Sequence, residues 1–459
     1  MQSVLSVIVP AYNAGPYLAR CLQALRDGDH APLEIIVSDD GSSDETIEIA
    51  EQFGATVLHS DERHGPSFAR NRAAAFAKGS VLLFLDSDVC VHHNTLSKFE
   101  VAFAADSALD ALIGSYDSSP GSPDFISQYR NLMHAYVHQT GAEQASTFWS
   151  GCGAIRTSVF REHSGFVEDY GRPAIEDIEL GYRLVRAHHK IVLDRTILAT
   201  HMKRWTFWGL LKTDILDRAI PWTELILRDR LMPDDLNLQL SQRVSVALVF
   251  VLIALCAMIA AVSGIYMLIP LLAIAFLMLA RWWGEFGSYD RPRRAFAMLM
   301  GVIAVVAAIA YAHRMYGIIP PLIVTPVLLL LRHRYGTNGK LKQPQRWVGI
   351  IFLALSLAVA IWYLPAHHLL LACFAIILLL GIMNSQFYIF LAGKRGIAFM
   401  LAAIPFHLLY HFYSGLSFVA GAARHYSAAG SIDGAVIRLT TVPGSDHSQP
   451  SQPIKEPAK

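Results

Sequence analysis

Residues 82–89 read Leu-Leu-Phe-Leu-Asp-Ser-Asp-Val, an apolar run that ends in two carboxylates one residue apart. The run has the length and bulk of a buried strand. Side chains alternate faces along a strand, so Asp86 and Asp88 are expected to project the same way from its carboxyl end. Open α/β sheets bind their ligands at that edge. Two adjacent carboxylates repel, and a cation between them relieves the repulsion. All-oxygen ligation favours Mg²⁺ or Mn²⁺, ions that commonly bring substrate phosphates with them.

Working outward, the first half of the chain alternates strand and helix patterns. Strands are expected at Val4–Val9, Leu33–Val37, Ala55–His59 and Val81–Leu85. Helices are expected at Tyr17–Leu25, Glu45–Phe53 and Phe68–Ala77, the second capped by Ser43 or Asp44. This order predicts a parallel, doubly wound sheet. Polar groups collect at its strand ends: Pro10, Tyr12, Asp39, Asp40, Asp86 and Asp88.

Five segments carry a resemblance: LSVIVPAYN (5–13), IIVSDDGSSDET (35–46), GPSFARNRAAAFAKG (65–79), LLFLDSDV (82–89) and FWSGCGAIRTSVF (148–160). The segment GFVEDYGRPAIEDIELGYRLVRAHHKI (165–191) extends it. In this order and spacing they resemble the nucleotide-sugar half of membrane-bound family 2 glycosyltransferases, inverting enzymes of the GT-A fold. The likeness covers roughly residues 4–205, under half of the chain. It implies a nucleotide-sugar donor, most often a UDP-sugar, and a divalent cation, Mg or Mn.

The resemblance also implies roles. Asp40 would bond the nucleobase, with Pro10, Tyr12 and Arg70 completing the nucleotide site. Asp86 would reach the ribose or a metal-bound water, and Asp88 would ligate the metal. Asp177 would be the general base for the acceptor hydroxyl, oriented by Glu176, and Gly151 would lie on the acceptor side. His201, at the end of an expected strand Ile191–Ala199, would complete the metal site. Arg204 and Trp205 resemble the end of the Q-x-x-R-W motif of polysaccharide synthases, with Arg204 on the diphosphate and Trp205 on an acceptor sugar. The glutamine of that motif is absent; His201 stands in its place. Each residue also has a plain structural reading: Asp40 as a turn residue, Arg70 as a solvated charge, the Glu176-Asp177 pair as helix-dipole partners, and the Lys203-Arg204-Trp205 cluster as an interfacial anchor.

Composition separates the two halves. The chain is 53% hydrophobic and 16% charged, and its net charge of +1 gives no electrostatic case for nucleic acid. Its five cysteines are dispersed, without a metal or disulfide spacing. The N-terminus lacks the basic region of a signal peptide and reads as a first strand. Four regions are expected: a GT-A-like domain at 1–204, amphipathic interfacial helices at 205–243, an all-α transmembrane domain at 244–421 and a disordered tail at 422–459. Seven spans are expected at 244–263, 265–283, 295–313, 318–331, 347–364, 367–383 and 398–421, the fourth short and proline-bearing. Arginine and lysine fall on the loops that would share the catalytic domain's side. This predicts an integral protein of the inner membrane with its catalytic domain in the cytoplasm. The function expected is inverting transfer to a lipid-linked or membrane-associated acceptor, for glycolipid or exported glycan synthesis. A processive synthase extruding its polymer is the alternative.

Overall fold

A computed structural model describes residues 4–170, 173–235, 238–263 and 367–439. The expected spans at 265–283, 295–313, 318–331 and 347–364 and most of the tail lie outside the described residues. By internal contacts the chain divides into two compact units, 1–243 with 386–459, and 244–385.

The first unit is built on eight strands among the described residues: β1 (Leu5–Ala11), β2 (Glu34–Asp39), β3 (Thr56–His59), β4 (Val81–Leu85), β5 (Val89–Val91), β6 (Ala111–Tyr116), β7 (Cys152–Arg156) and β8 (Ile191–His201). Their order in the sheet is β3-β2-β1-β4-β7-β6-β8-β5. Strands β3, β2, β1 and β4 are mutually parallel, as the alternating pattern predicts. Beyond β4 the sheet is mixed: β7 runs antiparallel to both β4 and β6. The expectation of a purely parallel sheet is therefore corrected. The reversal depends on pairing between residues 81–85 and 152–156, about seventy positions apart, which no local pattern reports.

The strands read as continuous apolar runs because both faces are covered. Val7, Val9, Leu83 and Leu85 pack into one core with Leu18, Leu22 and Phe99. Ile8, Leu82 and Phe84 point the other way, into a second core with Phe148, Phe160 and Phe166. Phe84 meets all three of these rings at centroid distances of 5.0–6.3 Å. Truncating so enclosed a ring typically costs 3–5 kcal/mol.

Helices cover the sheet: α1 (Gly15–Arg26), α2 (Thr46–Gln52), α3 (Pro66–Phe76), α4 (Thr95–Ala105), α5 (Phe125–Thr140), α6 (Thr157–Glu162) and α7 (Glu176–Arg186). Helix α5 starts on Asp124, whose carboxylate accepts from the Ser127 amide at 3.0 Å. Helix α7 lies so close to the 147–148 backbone that a Cβ at Gly181 would fall 2.2 Å from the Phe148 nitrogen. Only glycine permits that approach, and it fixes where the start of α7 meets residue 150.

After the sheet the chain runs helically from Phe207 to Asp229, as α8 (Phe207–Lys212), a π-helical stretch (Thr213–Ala219) and α9 (Ile220–Asp229). Trp208 is exposed, while Leu210, Leu225 and Ile226 are buried. The segment is amphipathic, and its apolar face is satisfied largely by protein. Much of that protein comes from far along the sequence. Helices α12 (Ser385–Arg395) and α13 (Ile397–Leu439) pack on α5 through Tyr129, Leu132, Met133, Phe387, Leu391 and Ala403. Arg395 donates to Gln128 Oε1 at 2.7 Å and to the Ser118 carbonyl at 3.0 Å. Asp214, in the π-helical stretch, accepts from Arg130 of α5 and from the Tyr413 hydroxyl of α13, each at 2.6 Å.

In the second unit, α10 (Leu240–Ser263, its first residues in the first unit) meets α11 (His367–Met383) through Ile259 and Cys373. Two described helices, Leu240–Ala261 and Ile397–Ser427, are long and apolar enough to cross a membrane. The count becomes three if α11 and α12 together form one broken span.

Candidate active site

A cavity of about 500 Å³ opens at the carboxyl ends of β1, β2 and β4. It is lined by Pro10, Tyr12, Asp40, Arg70, Asp86, Asp88, Gly151, Glu176, Asp177, His201 and Trp205, so the sequence-expected residues converge on one space. Arg204 does not join them. Its side chain is 75% exposed and its Nε lies 4.0 Å from Asp124, so Lys203 lines the cavity in its stead. The alternation of neighbouring side chains along an extended chain explains the exchange.

The two aspartates of the opening motif are also placed differently from the expectation. Strand β4 stops at Leu85, and residues 86–88 form a turn closed by the Val89 amide on the Asp86 carbonyl at 3.0 Å. Asp86 and Asp88 are therefore separated by a turn and do not sit on one strand face. Asp86 accepts from Arg70 at 2.7 Å. Asp88 faces His201, Oδ2 to Nε2 at 3.5 Å.

Arg70 is buried and bridges two carboxylates. One terminal nitrogen reaches Asp86 and the other reaches Glu176 Oε1 at 2.8 Å. The expectation placed Arg70 on the nucleotide. In the structure its two terminal nitrogens are engaged by acids, which ties the 86–88 turn to the start of α7. Glu176 is further held by the Ala174 amide at 2.9 Å.

Asp177 sits in the first turn of α7 beside Glu176. Its Oδ2 accepts from the Ser150 amide and hydroxyl, both at 3.0 Å. Those donors would stabilise the carboxylate, yet burial and then the charge of Glu176 win, and the carboxyl is pushed up to about 6. Asp88 goes the opposite way. Burial alone would raise it, but His201, and with it Lys203, holds it at about 2. Asp86 is raised by burial against the opposing pull of Arg70.

The donor set at Asp88 suits a divalent cation. The His201 Nδ1 meets Asn131 Oδ1 at 2.6 Å, so with Nδ1 carrying the proton, Nε2 turns a lone pair toward the Asp88 carboxylate. The 3.5 Å gap between Nε2 and Asp88 Oδ2 accommodates a proton on Nε2, the state in which His201 lowers Asp88, or a bound cation in its place, and an imidazole locked through its other nitrogen is the usual arrangement of a metal ligand. Asp86, Asp88 and His201 together offer oxygen and nitrogen donors of the kind Mn²⁺ accepts.

At the nucleotide end, Asp40 accepts from the backbone amides of His64 and Gly65, both at 2.8 Å. It thereby holds the loop that precedes α3, a duty the sequence did not announce. Asp44 accepts from the Thr46 amide at 3.2 Å, but the cap position of α2 is Glu45, whose side chain makes no capping bond, which corrects the expected cap at Ser43 or Asp44. The Arg63 guanidinium lies 4.0 Å over the Tyr12 ring, and both line the cavity.

Gly151 packs against the Trp149 indole, where a Cβ would fall 2.7 Å from Nε1, and its carbonyl accepts from the Asp86 amide at 3.3 Å. The opposite wall was not foreseen. Tyr116 stacks on His201 at 4.6 Å and lies parallel to His134 at 6.1 Å. Trp149 meets Tyr116 and His138 edge-on. Trp222 and Arg218 of the helical segment complete this side. Asn131, His134 and His138 stand at three- and four-residue intervals on α5, a one-face spacing that the sequence does display.

Residues 6–164 match the family described as glycosyl transferase family 2. Glycosyltransferase GlyG of Streptococcus pneumoniae is 34% identical over 130 residues, 27% of this chain and 43% of that protein. The O-antigen chain rhamnosyltransferase RfbN of Salmonella typhimurium is 24% identical over 237 residues, 48% of this chain and 74% of that protein. The chain spans less than half the length of several curated relatives that it matches. Among solved structures, a mannosyltransferase of Pyrobaculum calidifontis in complex with GDP-Man and Mn²⁺ aligns with a TM-score of 0.41 at 16% identity, over 79% of this chain and 88% of that one. The segment that matches glycosyl transferase family 2 contains most of β1, β2 to β7, the 86–88 turn and Ser150.

Proposed function

We infer that the protein transfers a sugar from a nucleotide-sugar donor, a UDP-sugar, to an acceptor hydroxyl with inversion, and that the acceptor is presented at a membrane. The observation that carries this reading is the meeting, in one cavity at the sheet's carboxyl edge, of a raised carboxyl aimed by Ser150, Asp177, with a depressed one facing His201, Asp88. A base near pH 6 is charged at neutral pH and still basic enough to receive a proton.

In this reading the acceptor oxygen bonds to the anomeric carbon as the bond from that carbon to the donor's diphosphate breaks. The acceptor proton passes to Asp177 Oδ1 or Oδ2, and the nucleoside diphosphate leaves with the bonding electrons. A single displacement from the face opposite the leaving group inverts the centre. Asp177 is aimed by the Ser150 amide and hydroxyl. Glu176 is fixed by Arg70, so the base and the 86–88 turn share one rigid frame. Asp88, His201 and Asp86 would hold Mn²⁺ or Mg²⁺, which when bound neutralises the departing diphosphate. Lys203, near Asp88, adds positive charge there. Tyr12, Pro10 and Asp40 border the nucleoside end.

The membrane part of the reading rests on two described helices able to span, one of which, α13, is bonded to the catalytic unit through Tyr413 and Asp214. We place the catalytic unit on the cytoplasmic side, where nucleotide sugars are available. The test is transfer by the full chain in detergent, with labelled UDP- and GDP-sugars, Mn²⁺ and total membrane lipid. Label entering the organic phase, abolished by Asp177→Asn, supports the proposal. Transfer that survives Asp177→Asn removes it.

A further inference from the structure

At the end of the sheet away from the cavity, three metal-ligating side chains converge. One donor atom from each of Glu162, His163 and His189 lies within 4.8 Å of the other two. Glu162 and His163 close helix α6, and His189 lies between helix α7 and β8. Strand β8 runs 11 residues from Ile191 to His201. At about 3.3 Å per residue, the cluster and the Asp88 corner therefore stand on the order of 30 Å apart.

Two observations point to a ligand here. His189 is held through one nitrogen: Nδ1 meets Asp110 Oδ2 at 3.1 Å, and that oxygen also accepts from the Lys190 amide at 2.8 Å. With Nδ1 donating to the carboxylate, Nε2 keeps a lone pair, which is how a carboxylate orients a metal-binding imidazole. The second observation is His163. Its Nε2 is closed off from solvent and has no hydrogen-bond partner among the described residues, whereas buried polar atoms are normally satisfied. The two imidazole rings meet edge to face, with centroids 4.9 Å apart.

The charge balance favours a cation. Glu162 and Asp110 bring two carboxylates. Arg183 comes close, donating through Nη1 to the His163 carbonyl, but both oxygens of Glu179 match it at 2.8–3.0 Å. Lys190 Nζ is bound to Asp106 at 2.7 Å, and Arg161 reaches the Ala77 carbonyl at 3.4 Å. Two imidazoles and a carboxylate, with room for a water, form a familiar Zn²⁺ donor set. Divalent-ion affinities at such a set put Zn²⁺ above Mn²⁺. Donors of a tetrahedral Zn²⁺ stand about 3.4 Å from one another, so closing the set takes about an ångström of movement, most easily by the exposed Glu162.

We propose that Glu162, His163 and His189 bind a divalent transition ion, Zn²⁺ in preference to Mn²⁺, with Asp110 orienting His189. The ion joins the end of α6 to the end of α7, the helix whose first turn carries Glu176 and Asp177. Its role is structural, and it does not depend on the transfer reading above.

The test uses the full chain in detergent, without a histidine tag and stripped of metal by chelator. Zn²⁺, Co²⁺ and Mn²⁺ are titrated into the unaltered protein and into a double variant, Asp88→Ala with His201→Ala, that removes the donors of the cavity corner. In the double variant Zn²⁺ should still bind, at least tenfold tighter than Mn²⁺. Co²⁺ should give the visible absorption of a tetrahedral site, and Zn²⁺ should raise the melting temperature. Adding His163→Ala or His189→Ala should weaken Zn²⁺ at least tenfold and abolish the rise in melting temperature. Asp110→Asn should weaken it by a smaller factor. Without metal, the histidine variants should melt within a few degrees of their parent, which shows that they fold. Should either fail to fold, Glu162→Gln, on an exposed side chain, carries the same expectation of weakened Zn²⁺ binding. Zn²⁺ binding that disappears in the double variant would assign the ion to the cavity corner and overturn the proposal. Binding there that ignores His163, His189 and Glu162, or that favours Mn²⁺, would overturn it as well, leaving the two rings as packing alone.

Discussion

Asp88 and Asp177 are the same residue type in the same cavity, and their surroundings drive them apart, to about 2 and about 6. Asp88 closes a turn at a strand end with an imidazole and a lysine near it. Asp177 begins a helix, buried beside another acid, and the donors of Ser150 with the charge of Arg70 offset only part of the cost of its charge. The contrast teaches that charge partners decide the division of labour. A carboxylate held well below the usual range suits a cation, and one poised near neutrality suits a proton.

The sharpest way to break this comparison is Asp177→Asn. Turnover should fall by about 10²–10⁴-fold, the usual worth of a general base, while UDP binding in Mn²⁺ changes less than twofold. Loss of UDP binding of the same size would mean that the two aspartates are not separable. Next in size, Asp88→Ala and His201→Ala should each weaken UDP by about tenfold or more when Mn²⁺ is present and hardly at all in chelator. Equal affinities with and without chelator for the unaltered protein would take the cation away from this corner.

The pH profile sharpens the contrast further. A base must be deprotonated to act, so turnover should rise with pH through about 6 and level above it. Ser150→Ala removes one of the bonds that favour the charged form of Asp177, so its acid limb should move upward, by less than about one unit. A downward shift would show that the hydroxyl does not stabilise the carboxylate. The smallest effect concerns stability. Because folding raises Asp177, its charge costs stability increasingly from about pH 4 to pH 6 and fully above. Asp177→Asn should therefore melt a few degrees higher than the unaltered protein at pH 8 and at the same temperature near pH 4. A lower melting temperature at pH 8 would contradict the burial of that charge.

The central strands of the first half were legible because they are apolar on both faces, and β4 falls on 81–85 as the sequence indicates. The reversal of β7 was not legible, since it is set by a partner about seventy residues away. The aspartates of residues 86–88 were visible, but their turn was not: an apolar run does not announce where its ladder stops. Arg70 read as a nucleotide contact because its motif says nothing about Glu176, which reaches it from 106 residues downstream. Arg218 had no motif at all. Its setting arises only once the helical segment folds over α5, where His134 waits. The one advance sign was the spacing of Asn131, His134 and His138 along a single face.

The bond from Tyr413 to Asp214 has a temporal consequence. Helices α12 and α13, which cover Tyr129, Leu132 and Met133, leave the ribosome only after the roughly 140 residues of the second unit. At common elongation rates of about 5–20 residues per second that interval is about 7–28 s. During it, the nascent sugar-binding half carries an uncovered apolar face and an aspartate still lacking its tyrosine. The face is therefore available to a chaperone or to the membrane insertion machinery before it is available to its own helix. Completion of this core is thereby placed after synthesis of α12 and α13.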